Sequence, residues 1–254
     1  MASESAPRRL NKLAEILNSK SYLEIGVQKG LTFNNVNVAY KEAVDPIFRF
    51  DYLSLEGENT KFYQITSDKY FESLLSNKRK LQPNVFDLFF IDGLHTYDQT
   101  YRDFCNCLAV SNSESFFVID DTFPADLYSS LRTQSVCKLR RSREAPNSSI
   151  REWRGDTYKV LLLINLFHTS YSYCTVRGDG PAQTFIWKTD LVNDSAYHTK
   201  PYNLSTLSNE MLFEYLGRIN QLDYNWFLEN QSLLQICEND DFFSWFSGCF
   251  RASL

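Results

Sequence analysis

Several broad classes are excluded by what this chain lacks. Its six cysteines include no CxxC pair, and no histidine stands at zinc-ligand spacing beside them. A zinc module is therefore not expected, and Cys105, Cys107, Cys137, Cys174, Cys237 and Cys249 read as reduced core residues of a reducing compartment. No uninterrupted apolar stretch approaches the ~18 residues of a membrane span. The longest run, residues 160–167, is broken by Asn165. The first residues carry no long apolar core of the kind a secretory signal needs, so a cytoplasmic location is expected. Positive charge is outweighed, at a formal net charge of −5 over 254 residues. That balance argues against broad binding to nucleic acid or to an anionic membrane. The GxGxxG dinucleotide fingerprint is absent, as are internal repeats and low-complexity segments.

What is present is the composition of an ordinary globular protein, 43% hydrophobic and 22% charged, and long enough to bury a sizeable core. Phe and Tyr are abundant, at 20 and 15 residues, which suits a bulky core and also an aromatic-walled pocket. Residues 7–17 read as a leading amphipathic helix. Ser21–Ile25 is a buried strand that stops at Gly26, and Gly30 follows, so a tight turn and a helix start are expected. A second strand ends at Asp45-Pro46 and a short third covers residues 62–65. Thr66-Ser67-Asp68 reads as the cap of a helix over 69–75.

Residues 85–91 are apolar nearly throughout, as in a strand covered on both faces, and end at Asp92-Gly93. Residues 96–110 have helical spacing. Another buried strand, 115–119, ends at Asp120-Asp121. A helix is expected over 153–167, then a closing pair of strands, 171–176 and 184–188, around Gly178-Asp179-Gly180. This alternation implies an α/β class with a mostly parallel, doubly wound sheet and an antiparallel hairpin at one edge. Residues 205–219 and 225–236 read as helices. The division expected is a domain over 1–197 and a helical extension over 198–254 packed on it, with a lid or an oligomer contact as further roles open to the extension.

The chemistry-bearing residues gather at strand ends. Gly26 permits a sharp turn and Gly30 a close approach to a ligand. Asp45 can accept hydrogen bonds from both hydroxyls of a ribose, or cap the turn before Pro46. Asp68 is either a helix cap or part of a ligand wall. Asp92, Asp120 and Asp121 end neighbouring strands, so they converge on one site unless Asp120 caps its own turn. Carboxylates at close range repel unless protonated or bound to a cation, and oxygen ligands suit Mg²⁺. His95, three residues after Asp92, is placed to act as a general base. His168 and His198 have no such neighbours. The run from Lys138 to Arg143, with Arg151 and Arg154, reads as a solvated loop or as a clamp for an anionic group on an acceptor. In the segment from Trp153 to Lys159, Asp156 reads as a cap or as a pocket wall.

The segments YLEIGVQKG, AVDP, YQITSDKYFE, FDLFFIDGLHTYDQTYRDF, FFVIDDTFP and WRGDTYK together resemble the class I S-adenosylmethionine-dependent methyltransferases. They are most similar to small-molecule O-methyltransferases with an IDG-H-Y signature, the methyltransferase domain 24-like group. The resemblance covers roughly residues 20 to 190. It implies a Rossmann-like, seven-stranded sheet whose last strand is inserted antiparallel. It implies that Glu24, Gly26 and Gly30 line the methionine end of the cofactor, that Asp45 holds the ribose, and that Ser67 and Asp68 lie near the adenine, with Asp92 also at the cofactor. By the metal-dependent relatives, Asp92, Asp120 and Asp121 are the metal set. His95 stands where those enzymes carry a catalytic lysine, and Gln28 stands where many carry glycine.

The expected activity is methyl transfer to a hydroxyl of a small molecule or sugar, assisted by Mg²⁺, with His95 and Asp92 as the catalytic residues. An NAD-linked oxidoreductase and a catalytically silent cofactor-binding partner are the competing readings. The expected partners are a small-molecule or sugar acceptor and a second copy of the chain, not nucleic acid or membrane.

Overall fold

The computed structural model describes residues 5–76, 85–192, 194–197 and 216–251. Eight strands form one sheet: β1 (Ser21–Ile25), β2 (Tyr40–Val44), β3 (Thr60–Tyr63), β4 (Phe86–Ile91), β5 (Ser111–Ile119), β6 (Tyr171–Gly178), β7 (Gly180–Lys188) and β8 (Ile236–Glu238). Their order is β3-β2-β1-β4-β5-β7-β6-β8. β1 to β5 run parallel, and β7 is antiparallel to both β5 and β6.

The expected sheet therefore gains a strand: it has eight, not seven, and the β6–β7 hairpin is not at the edge. β8 closes that edge, parallel to β6. It was hidden because it is only three residues long and continues an apolar stretch with helical spacing. Gln235, at φ 47°, turns the chain out of helix just before it. The expected helix over 225–236 is thus a short helix α6 (Tyr224–Glu229), a 3-10 turn (Gln231–Leu234) and β8. The helix expected over 205–219 lies largely outside the described residues. The final helix, here α7, spans Asn239–Arg251.

The other helices are α1 (Ser5–Leu17), α2 (Ser67–Leu75), α3 (Tyr97–Leu108), α4 (Gln134–Glu144) and α5 (Val160–Phe167). Three expectations shift. The helix expected after Gly30 is only a 3-10 turn, Phe33–Asn35, because Asn34, Asn35, Asn37 and the β-branched Val36 and Val38 are poor helix formers. The helix expected from 153 begins only with a 3-10 turn at Thr157, since Gly155 takes φ 61°. The basic run 138–143 is part of helix α4 and not a loop.

Each face of the sheet carries its own apolar layer. On one face α1 and α7 cover Leu88, Phe116, Phe185 and Trp187; on the other, α2, α3 and α5 cover Phe89, Phe117 and Ile186. Trp187 stacks on Phe116 at 5.9 Å and meets Phe242, Trp245 and Phe246 of α7. The C-terminal helix is therefore part of the core layer. Replacing fully buried Phe246 by alanine should lower unfolding free energy by about 3–5 kcal/mol in a denaturant titration. A loss below about 1 kcal/mol would show that α7 is not part of the cooperative unit.

Candidate functional site

In register, Ile25 pairs with Val44 and with Ile91, Val44 with Tyr63, and Ile91 with Ile119. Gly26, Asp45, Asp92 and Asp120 each follow one of these strand ends, so all four sit on one rim. A cleft of about 630 Å³ opens there, lined among others by Glu24, Gly26, Asp45, Ser67, Asp68, Asp92 and His95.

Gly26 has φ 87°, and a Cβ on it would lie 1.8 Å from the Asp92 carbonyl oxygen. The two strand exits are pressed together at a spot only glycine can occupy. Asp45 braces the loop that follows. Its Oδ2 accepts the backbone N–H groups of Val27 and Gln28, both at 2.8 Å, and its Oδ1 accepts that of Ile47 at 2.7 Å. The turn-organising reading of Asp45 is thus seen directly, with Oδ2 accepting two backbone N–H groups and Oδ1 one, which leaves a lone pair on Oδ1 alone. Gly30 is not among the cleft-lining residues, although Lys29 and Leu31 on either side of it are; a Cβ on it would meet Asn34 and Phe50.

Glu24 is buried, and its Oε2 accepts the Tyr22 hydroxyl at 2.5 Å. Burial pushes its carboxyl well above the usual range, against the pull of that hydrogen bond. At the far end of the cleft, Thr66 and not Asp68 caps α2, accepting the Lys69 N–H. Gln99, on α3, was not singled out from sequence. Its amide nitrogen donates to Ser67 Oγ at 3.3 Å, Asp68 Oδ1 at 3.2 Å and Asp103 Oδ1 at 3.0 Å, tying α2 to α3. Burial raises the Asp103 carboxyl to about 6.

Across the rim, the His95 ring bridges two carboxylates. Nδ1 lies 2.9 Å from Asp121 Oδ2, and Nε2 lies 3.3 Å from Asp92 Oδ1. Burial alone would lower the imidazole pKa, but the hydrogen bonds to Asp121 and Asp92 raise it to about 11. Both carboxylates thus favour the protonated ring. Burial in turn lifts the Asp92 carboxyl to about 6, opposed by His95. Asp121 has φ 59°, a left-handed conformation costing about 1–3 kcal/mol, and Arg154 Nη1 holds its other oxygen at 3.2 Å.

Residues 23–122 match a family model described as a methyltransferase domain. This stretch is therefore similar to a methyltransferase domain. No curated protein matches the chain. Among solved structures, cofactor-bound Rv0187 from MTB is similar at 12% identity, over 74% of this chain and 81% of that one, with a TM-score of 0.50. The O-methyltransferase from Bacillus cereus, in complex with SAH, aligns at 14% identity over 73% and 80%, with a TM-score of 0.49. The O-methyltransferase TomG from Streptomyces achromogenes aligns at 13% identity over 74% and 82%, with a TM-score of 0.47. At such identities the likeness is one of fold.

Two expectations for this site meet a different geometry. His95 was expected as a general base; its ring lies between two carboxylates that favour the protonated form, which holds its proton to about 11. The expected metal set was Asp92, Asp120 and Asp121. The ligand atoms that lie within 4.8 Å of one another are instead those of Asp92, His95 and Asp121. Asp120 is not in that set; its Oδ1 accepts the Asp121 backbone N–H at 2.9 Å, and burial raises its carboxyl well above the usual range. Mg²⁺ prefers oxygen ligands, and one of the three ligand atoms gathered here is an imidazole nitrogen, so this set suits Mg²⁺ less well than three carboxylates would.

The unfolded chain releases the His95 proton near 6.5, whereas the fold keeps it to about 11. The His95 side of the bridge therefore stabilises the fold fully below pH 6.5 and fades as pH rises through 11, while Asp92 takes up a proton, and its share of the ion pair weakens, as pH falls through about 6. In an NMR titration, the His95 ring resonances should stay at imidazolium shifts from about pH 5 to 9. A midpoint near the ordinary histidine value would show that the bridge is not formed in solution.

Proposed function

We propose that this chain binds S-adenosylmethionine in the rim cleft and transfers its methyl group to a hydroxyl oxygen of a small-molecule acceptor. The observation that carries this reading is the meeting of Glu24, Gly26, Asp45, Ser67, Asp68 and Asp92 in one cleft of a domain that matches methyltransferases. Glu24 and the Gly26 turn would face the methionine end and the remaining lone pair of Asp45 Oδ1 a ribose hydroxyl. Ser67 and Asp68 would stand at the adenine, with exposed Ile47 as an apolar wall. A sugar hydroxyl is one acceptor class that suits such chemistry, as is a phenol.

The sulfonium methyl is already activated, so the protein mainly aligns acceptor oxygen, methyl carbon and sulfur. The acceptor proton passes to the Asp92 carboxylate. The freed oxygen lone pair forms the new O–C bond while the C–S bond breaks and its electron pair returns to sulfur. With a pKa of about 6, Asp92 is ionised at neutral pH yet basic enough to accept a proton. The His95 imidazolium beside it keeps it from becoming more basic and offsets Asp121.

Calorimetry should show S-adenosylhomocysteine binding to the wild-type chain and no binding of NAD. Gly26→Ala should weaken that binding at least tenfold, about 1.4 kcal/mol, because the new methyl group collides with the Asp92 carbonyl. Binding of NAD in preference to the sulfur compound would favour the oxidoreductase reading and sink this one.

Screening labelled S-adenosylmethionine against phenols and sugar nucleotides would supply an acceptor for turnover. With it, Asp92→Asn should lower the rate by ~10²–10⁴ while cofactor affinity holds. The wild-type rate should rise as pH passes upward through about 6, and EDTA should leave it unchanged. A rate abolished by chelator and restored by Mg²⁺ would overturn the metal-free assignment.

A further inference from the structure

Four consecutive residues between α4 and α5 grip the loop that carries His95. The Trp153 indole stacks on the imidazole at 4.9 Å and 20°, and its backbone carbonyl oxygen lies 3.1 Å from His95 Nδ1. The indole is itself held, because its Nε1–H donates to the Leu131 carbonyl at 2.6 Å. Arg154 reaches Asp121, the carboxylate on the same ring nitrogen, while its own backbone N–H donates to the Ser129 carbonyl at 2.9 Å. Gly155, at φ 61°, lies so close that a Cβ would come within 1.7 Å of the His95 carbonyl oxygen.

Asp156 finishes the grip. Its Oδ1 accepts the backbone N–H of Tyr97, the first residue of α3, at 3.2 Å, and its Oδ2 takes Arg132 at 3.2 Å and Lys159 at 3.4 Å. It makes no such bond to the turn it precedes. The sequence suggested a cap, and Asp156 is one, for a helix nearly sixty residues away along the chain.

We propose that residues 153–156 form a positioning strap that fixes the plane of the His95 ring, with Nε2 directed at Asp92 in the cleft, so that Trp153 and Gly155 are positioning residues for the site. Rotation of the ring would break the bonds to both Asp92 and Asp121 and slide the imidazole off the indole. The strap thus removes a freedom that would otherwise misplace Asp92, the group that faces the acceptor. The role in methyl transfer rests on the function proposed above; the fixation of the ring does not, and it can be read without turnover.

The test uses the full chain labelled with ¹⁵N at histidine, near pH 7. In the wild type both His95 ring N–H signals should be visible, because two carboxylates and a stacked indole shield them from exchange. Trp153→Leu should lose them, and Trp153→Phe, which keeps a stacking ring, should retain them. Gly155→Ala should lose them as well. Retention of both ring signals in Trp153→Leu would overturn the strap, as would their loss in Trp153→Phe. A wild-type chain that shows the ring signals but binds no S-adenosylhomocysteine would uphold the strap and defeat the proposed function, so the two failures are distinct.

Discussion

The site depends on how two carboxylates at the ends of adjacent strands are kept from driving each other apart. The β4–β5 register brings Ile91 opposite Ile119, so the residues just beyond them, Asp92 and Asp120-Asp121, share a rim. Left alone in a half-buried place, such acids would protonate. Here the imidazolium of His95 spans Asp92 and Asp121, and Arg154 takes the remaining face of Asp121. The result is a balanced cluster in which one acid, Asp92, is left near 6.

The same logic of charge met by fixed donors shapes the other side of the cleft. The turn after β1 has no long helix behind it, so its conformation cannot come from a helix N-terminus. Asp45 supplies it instead, with one carboxylate taking three backbone N–H groups. That brace explains how Gln28, at φ 44°, can stand where glycine would sit with less strain. Several hydrogen bonds to a carboxylate, each worth about 1.5–3 kcal/mol, outweigh one left-handed residue.

Much of this was legible in sequence, for physical reasons. Buried parallel strands announce themselves as apolar runs, and a run that stops on an acid marks the rim. Val44-Asp45, Ile91-Asp92 and Ile119-Asp120 could therefore be placed on one edge before any coordinates. Pairing between side chains could not. Nothing in the spacing of Asp92 and His95 says that the ring also meets Asp121, and that second contact places the imidazole between two carboxylates. Gln99 was invisible because a glutamine on a helix is unremarkable until its three acceptors are seen together. β8 was invisible because three residues carry no period.

The boundary of the family match is informative in the same way. It ends at Thr122, just past the Asp120-Asp121 pair, so it runs from within β1 through β5 and takes in the rim at their ends. The residues that orient His95 lie outside it, in the stretch between β5 and α5. Within the match, contacts follow from strand register, which any sequence with the right apolar runs reproduces. Beyond it they depend on one chain reaching back: Trp153 to His95, Arg154 to Asp121, Asp156 to the start of α3. A parallel sheet can present acids at its rim by topology alone, but it cannot choose which way an imidazole faces. That choice is made by a segment with its own geometry, and the individual character of this site resides there.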